Sequence, residues 1–138
     1  MLEKDIERRL RRKAKAAGCR CLKFVCPGYT GVPDRIILIP GGQVIFVELK
    51  APGKKERPRQ AVVQNMLRRM GFKVYSSVDS ADKVDQVAAE CAHLALRNEW
   101  ARDKIKEFAE KDGWPEPKED EEWWSIGRTT TNDTSLTK

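Results

Sequence analysis

The sequence predicts an α/β fold: a mixed sheet flanked by helices in the order α-β-β-β-α-β-α, with an extra C-terminal helix and a tail. Three observations predict it. The N-terminal segment has helical periodicity, two apolar runs flank a glycine turn, and helical patterns alternate with a further short apolar run after that turn. At 138 residues the chain is long enough for one domain with a hydrophobic core.

The first helix is predicted over residues 2–17, because apolar residues recur there at three- and four-residue spacing and Gly18 is a suitable stop. A short strand over residues 20–25 and a loop rich in glycine and proline follow. Residues 35–39 and 43–50 then form a hairpin around Gly41-Gly42. Both hairpin strands are nearly continuously apolar, which is typical of a sheet covered on both faces.

Beyond the hairpin, the pattern predicts a helix over residues 59–70, a strand over 73–76 and a helix over 80–97. The single domain is therefore expected to span residues 1–97, and residues 98–114 to form the additional helix. Residues 115–138 are acidic and then rich in serine and threonine, so we expect a disordered tail. Within it, Trp123-Trp124 is the one feature suited to docking on the domain or on a partner, and a loosely packed tail is the favoured interpretation of this pair.

Charge is divided unequally along the chain. Residues 1–76 carry 18 Lys and Arg against 6 Asp and Glu, net +12, whereas residues 77–138 carry 9 against 15, net −6. Basic surface attracts the phosphate backbone of nucleic acids through counterion release. No segment approaches the roughly 18 apolar residues that span a bilayer, and the N-terminus lacks an apolar signal region. We therefore expect a soluble, cytoplasmic protein with a polyanionic partner and no membrane association.

The four cysteines, Cys19, Cys21, Cys26 and Cys91, do not form two C-x-x-C pairs at zinc-finger distance. Reduced, partly buried thiols are the favoured interpretation. A C-x-C-x4-C zinc site is the alternative.

Three charged residues stand where apolar ones are expected. Asp34 opens the first hairpin strand, and Glu48 and Lys50 end the second. Period-two alternation places Glu48 and Lys50 on one side of the sheet, roughly 7 Å apart, and a hairpin closed at the glycine turn brings Asp34 across the ladder to Glu48. Two carboxylates suit Mg²⁺ or Mn²⁺. An exposed hairpin end with a surface Glu–Lys contact is the alternative, and the glycine turn, apolar strands and basic context favour the catalytic interpretation.

These motifs closely resemble the VRR-NUC family, a branch of the PD-(D/E)XK nucleases, across about residues 2–87. The resemblance implies a restriction-endonuclease-like sheet. It rests on Gly31-Val32-Pro33-Asp34-Arg35-Ile36, on Gly41-Gly42, on Phe46-Val47-Glu48-Leu49-Lys50-Ala51-Pro52-Gly53 and on Gln60.

Several roles follow from the resemblance. Asp34 and Glu48, together with Leu49, are implied to form the metal site, and Lys50 to orient or activate the attacking water. Gln60 matches the glutamine of the following helix. The glutamate of the N-terminal helix is Glu7 or Glu3, of which Glu7 fits the spacing better. The loop departs from many members at Tyr29-Thr30, which bears on its phosphate contact and not on the metal site.

The implied function is Mg²⁺-dependent hydrolysis of DNA, with Mn²⁺ able to substitute. Members that stand alone resemble homodimeric junction resolvases, so the resemblance implies a homodimer acting on branched or four-way junction DNA, encoded by a phage or prophage. Alternatives are a non-catalytic nucleic-acid-binding module of the same fold and an accessory protein-interaction factor. The predicted phosphate-binding residues flank the site in sequence: Lys23, Arg35, Lys54, Lys55, Arg57 and Arg59.

Overall fold

A computed structural model describes residues 2–113 and Pro115. Within them the chain forms four helices and four strands in the predicted order. These elements are α1 (Glu3–Ala16), β1 (Arg20–Lys23), β2 (Arg35–Ile39), β3 (Gln43–Leu49), α2 (Pro58–Arg69), β4 (Lys73–Val78), α3 (Ala81–Leu96) and α4 (Glu99–Asp112). The α/β class and the element order predicted from the sequence are confirmed.

The four strands form a single mixed sheet in the order β1-β2-β3-β4. β1 with β2 and β2 with β3 are antiparallel, whereas β3 and β4 are parallel. In the hairpin, Ile36 pairs with Phe46 and Arg35 pairs with Val47. Continuing that register by one residue sets Asp34 opposite Glu48, as the glycine turn predicts.

One face of the sheet is covered by α1 and α3, which pack against each other and against the strands. α1 contributes Ile6, Leu10 and Ala14, one turn apart on a single stripe, and all three side chains are fully buried. They join a core that includes Ile45 and Val47 of β3. Burying each leucine or isoleucine contributes about 1.5–3 kcal/mol, so this stripe fixes α1 on the sheet.

The alternate residues of β3 face the other side of the sheet, where α2 packs on β4. Phe46 lies there between two other rings, with centroid distances of 5.5 Å to Phe24 and 5.4 Å to Phe72. α2 begins at Pro58, a residue suited to the first helical position, and turns Val63 and Gln64 inward. This second layer encloses the charged end of the hairpin.

The predicted strand at residues 73–76 ends too early, because β4 continues to Val78 through a bulge. Val47 pairs with Tyr75, but Leu49 pairs with Val78, so two residues of β4 face one residue of β3. The second of them, Ser77, has φ 52°, a left-handed conformation that is uncommon outside glycine. The bulge therefore falls directly beside Glu48.

α4 packs more loosely than the other helices, with no buried side chain. It is held at its start by Asn98, whose side chain accepts a hydrogen bond from the Ala101 amide at 3.1 Å. The same side chain contacts Gly41, where a Cβ atom would lie 2.8 Å from its Nδ2 atom. Helix α4 is thus anchored on the β2–β3 turn. No helix in this portion of the chain is long and apolar enough to cross a membrane. The expectations for the tail and for Trp123-Trp124 fall outside the described residues.

Candidate active site

The end of the hairpin collects charged side chains between the sheet and α2. Asp34, which directly precedes β2, turns its carboxylate toward β3, where Oδ2 accepts a hydrogen bond from the Leu49 amide at 2.9 Å. Only the backbone of Leu49 takes part, because its side chain is buried in the core on the opposite face. Asp34 is therefore fixed in orientation against the strand that carries Glu48.

Glu48 has no exposed surface, and neither of its carboxylate oxygens has a hydrogen-bond partner. Burial raises the pKa of this carboxyl to about 9, and the neighbouring Asp34 carboxyl adds to the rise, while Lys50 opposes it. An isolated buried carboxylate is costly, so the ionised form of Glu48 requires a nearby cation.

Lys50 is the cation that the protein itself supplies. Its Nζ atom lies 3.8 Å from Glu48 Oε2 and donates a hydrogen bond to Gln60 Oε1 at 2.9 Å. The same Gln60 oxygen accepts a second bond, from the Arg57 amide at 3.0 Å, which ties it to the start of α2. The structure thus brings together Asp34, Glu48, Lys50 and Gln60, as the sequence predicts.

The donor set fits a hard divalent cation. The buried Glu48 carboxylate lies next to the partly buried Asp34 carboxylate. The unpaired oxygens of Glu48 are the type of ligand that Mg²⁺ and Mn²⁺ take, with water filling most remaining positions. No group of three or more His, Cys, Asp or Glu side chains in the described part of the chain is arranged to hold a metal. The protein therefore offers two side chains and leaves room for water and substrate oxygens.

Glu7 is not joined to this cluster in the structure. Its carboxylate forms ion pairs with Arg35 at 2.6 Å and with Lys23 at 3.6 Å. Because side chains alternate along β2, Arg35 and Ile37 point to the face of the sheet that α1 covers, which is the face opposite Glu48. The other candidate, Glu3, is exposed on the first turn of α1.

The assignment of Arg35 as a phosphate-binding residue is corrected by its position. Its side chain has no exposed surface, because the strand turns it into the core against Glu7. A backbone phosphate does not reach a fully buried guanidinium. Lys23 is also committed to Glu7, with about a quarter of its side chain exposed.

The remaining predicted phosphate-binding residues, Lys54, Lys55, Arg57 and Arg59, are all exposed. They follow Lys50 directly along the loop and the first turn of α2. Arg59 also stacks on the Tyr29 ring at 5.1 Å and donates to the Thr30 carbonyl at 3.1 Å. Arg59 therefore holds Tyr29 and Thr30, the loop residues that depart from many family members, against α2.

Sequence reasoning missed a polar group next to the site. Gln64 is fully buried one turn after Gln60, and its Oε1 accepts a hydrogen bond from the Ser76 hydroxyl. The neighbouring Ser77 donates to Glu56 at 3.4 Å. The four-residue spacing of the two glutamines was the available signal for Gln64, whereas the bulge that presents both serines has no sequence signal of its own.

Three of the four cysteines belong to the core on the face of the sheet opposite this cluster. Cys19, Cys21 and Cys91 are buried and Cys26 is exposed, all as free thiols. The pKa of Cys91 is raised by its contact with Cys19 and by burial, which makes it an unreactive core residue.

Comparison with known proteins places this geometry in a family. A search against models of protein families gives no match. The protein named "Putative nuclease p44" of Acyrthosiphon pisum secondary endosymbiont phage 1 is 42% identical over 80 residues, which cover 58% of this chain and 85% of that protein. A solved structure described as a VRR_NUC domain superposes with a TM-score of 0.59 and 26% identity, covering 63% of this chain and 94% of the other. This chain belongs to the VRR-NUC family of nuclease domains.

Proposed function

We propose that this protein is a divalent-metal-dependent DNA nuclease that hydrolyses phosphodiester bonds at the site formed by Asp34, Glu48 and Lys50. The observation that carries the proposal is the buried Glu48 carboxylate, which has no hydrogen-bond partner, faces Asp34 and lies 3.8 Å from the Lys50 ammonium. A buried carboxylate beside a second, partly buried carboxylate is unfavourable in a structural role, and the pair is well suited to bind a dication.

Each residue has a distinct task. Asp34 and Glu48 hold the ion, and the Leu49 backbone fixes the Asp34 carboxylate through its amide. The ion, when bound, polarises the scissile phosphate and lowers the pKa of a water. Lys50 stabilises the negative charge that develops on the phosphate, and Gln60 holds its ammonium in place.

The exposed cations beside the site position the substrate. Lys54, Lys55, Arg57 and Arg59 lie on the surface immediately after Lys50 in the chain. Contacts from such side chains to backbone phosphates fix the register of DNA without reading its sequence. The resemblance to stand-alone VRR-NUC members extends the proposal to branched or four-way junction DNA and to a homodimer.

The test is cleavage of a labelled four-way junction, a linear duplex and a single strand in Mg²⁺, in Mn²⁺ and in EDTA. The parent should cut only with metal present. Asp34→Ala and Lys50→Ala should each reduce kcat by about 100-fold or more. Lys104→Ala, which changes an exposed lysine on α4, is the matched control and should cut as the parent does.

The outcomes separate the candidate functions. Metal-dependent cutting confined to the junction supports the resolvase proposal, and cutting of all three substrates supports a less selective nuclease. Binding of DNA without cutting on any substrate would instead identify a non-catalytic binding module. Unchanged cleavage by Lys50→Ala would show that the assigned chemistry is wrong. Sedimentation velocity of the parent tests the homodimer.

A further inference from the structure

Three polar or charged side chains are fully buried among the described residues: Arg35, Glu48 and Gln64. Arg35 is paired with Glu7. Glu48 and Gln64 both lie in the layer between the sheet and α2, and each retains unsatisfied polar atoms. The active-site chemistry accounts for Glu48 and leaves Gln64 without a role.

The orientation of the Gln64 amide is set by a chain of donors. Arg68 donates to the Ser76 hydroxyl, and that hydroxyl donates to Gln64 Oε1. Arg68 is itself held by the Val74 carbonyl at 3.2 Å. Because the oxygen is committed to Ser76, the amide nitrogen of Gln64 points away from it. That Nε2 atom is buried and has no partner, although it carries two hydrogens to donate.

The bulge in β4 places this group beside Glu48. Tyr75 pairs with Val47 and Val78 pairs with Leu49, so Ser76 and Ser77 together face Glu48 from the adjacent strand. Neighbouring strands lie about 4.8 Å apart. Ser76 turns its hydroxyl toward α2, and Glu48 lies on the same side of the sheet. A buried donor without an acceptor and a buried acceptor without a donor are therefore brought into one layer.

We propose that Gln64 is a positioning residue for Glu48: its side-chain amide donates to the Glu48 carboxyl group through one trapped water, and Ser76 holds the amide in that orientation. The proposal rests on the nuclease function proposed above. It assigns to Gln64 the task of holding the Glu48 carboxylate in the orientation in which it serves the ion and the reaction. Such supporting residues are changed at a cost of about 10- to 100-fold in metal affinity or activity.

The first experiment observes the contact without relying on catalysis. The side-chain amide resonances of Gln64 are recorded by ¹H–¹⁵N NMR in the metal-free parent and in Glu48→Leu, which keeps a similar volume and removes the acceptor. The proposal predicts that the two proton resonances move upfield in Glu48→Leu. Glu56→Gln, which changes the other carboxyl group at the bulge, should leave them in place. Unchanged Gln64 resonances in Glu48→Leu would overturn the proposal.

The second experiment measures the consequence for the reaction. Gln64→Leu and Ser76→Ala should each lower kcat, the former by about 10- to 100-fold, with little change in KM for DNA. The double variant should lose less than the product of the two single losses, because both act through one hydrogen-bonded chain. Val63→Ala, which removes buried apolar contacts on the same helix without touching that chain, should keep the parental kcat per folded molecule.

The two proposals fail in different ways. A parent that cuts no DNA defeats the nuclease function, while the NMR comparison still decides whether Gln64 contacts Glu48. A parent that cuts DNA, together with a Gln64→Leu variant of equal kcat, defeats the positioning role alone.

Discussion

The buried Glu48 carboxyl should make the metal-free protein less stable as pH rises. Its pKa is raised from 4.5 to about 9 in the folded chain, first by burial and then by the Asp34 carboxyl. Below pH 4.5 the group is protonated in both folded and unfolded chains and contributes nothing to the pH dependence. Between 4.5 and 9 the unfolded chain releases this proton and the folded chain retains it, so the free energy of unfolding falls with increasing pH.

The size of the effect follows from the shift. Each pH unit inside this window costs about 1.4 kcal/mol for a group that stays fully protonated when folded. From pH 5 to pH 8 the upper limit of this loss is therefore about 4 kcal/mol. We expect about 2–4 kcal/mol because the Asp34 and Glu48 carboxyl groups titrate as a coupled pair that shares the proton. That is a substantial part of the 5–15 kcal/mol that typically separates folded from unfolded domains.

Glu48→Gln removes the titrating group while keeping the shape of the side chain. Urea unfolding of parent and variant in EDTA, at pH 5 and at pH 8, should show the variant gaining about 2–4 kcal/mol on the parent between the two pH values. Mg²⁺ should stabilise the parent more at pH 8 than at pH 5, since binding displaces the proton, and should have little effect on the variant. An identical difference between the two proteins at both pH values would refute the reasoning.

Three further predictions concern the scaffold. Glu7→Ala should lower the free energy of unfolding by about 3–5 kcal/mol because it removes the carboxylate that pairs with the buried Arg35 guanidinium. Glu3→Ala, on the exposed first turn of α1, should change the free energy of unfolding by less than about 0.5 kcal/mol in the same urea assay. Equal effects of the two substitutions would show that the ion pair with Arg35 does not stabilise the fold. Gly31→Ala should lower the free energy of unfolding by about 2–4 kcal/mol, because its φ is +91° and a Cβ would lie 2.7 Å from Arg59 Cγ and 3.0 Å from the Arg59 carbonyl oxygen. Gly28→Ala, at φ +77° with nothing nearby, should lower it by about 1 kcal/mol. Thermal unfolding of the two variants measures the difference. Asp85 of α3 pairs with Arg9 and Lys13 of α1, and their hydrogen bonds lower the pKa of its carboxyl group to about 2. The stabilising contribution of Asp85 is therefore present above pH 3.8 and is lost as pH falls through about 2. A carboxyl NMR titration of Asp85 with a midpoint near 4 would contradict this prediction.

The hairpin and its charged end were predictable because two short-range rules determine them. Alternation places Glu48 and Lys50 on one face, and the glycine turn sets the register that brings Asp34 opposite Glu48. Element boundaries differ from prediction by one or two residues, where strands fray or helices end. The catalytic roles of these residues stay predictions that the cleavage assay tests.

Arg35 shows how a local pattern can be misinterpreted. Its charge beside Asp34 suggested a phosphate contact, although the same alternation already placed it with Ile37 on the core face. Its partner Glu7 is distant in the sequence and approaches only through the packing of α1 on the sheet. Long-range pairing of this kind has no signature in one sequence, and neither has the extra residue in β4.

The bulge in β4 also bears on how this protein behaves at high concentration. β4 pairs with β3 on one side only, so its other side is an outer edge of the sheet among the described residues. A regular edge strand offers a row of unpaired amides and carbonyls to which another chain can add. The turn of the backbone at Ser77 interrupts that row at one end, and the half-exposed Lys73 places a charge at the other. The irregularity that faces Glu48 thus also disfavours the addition of another strand at the β4 edge.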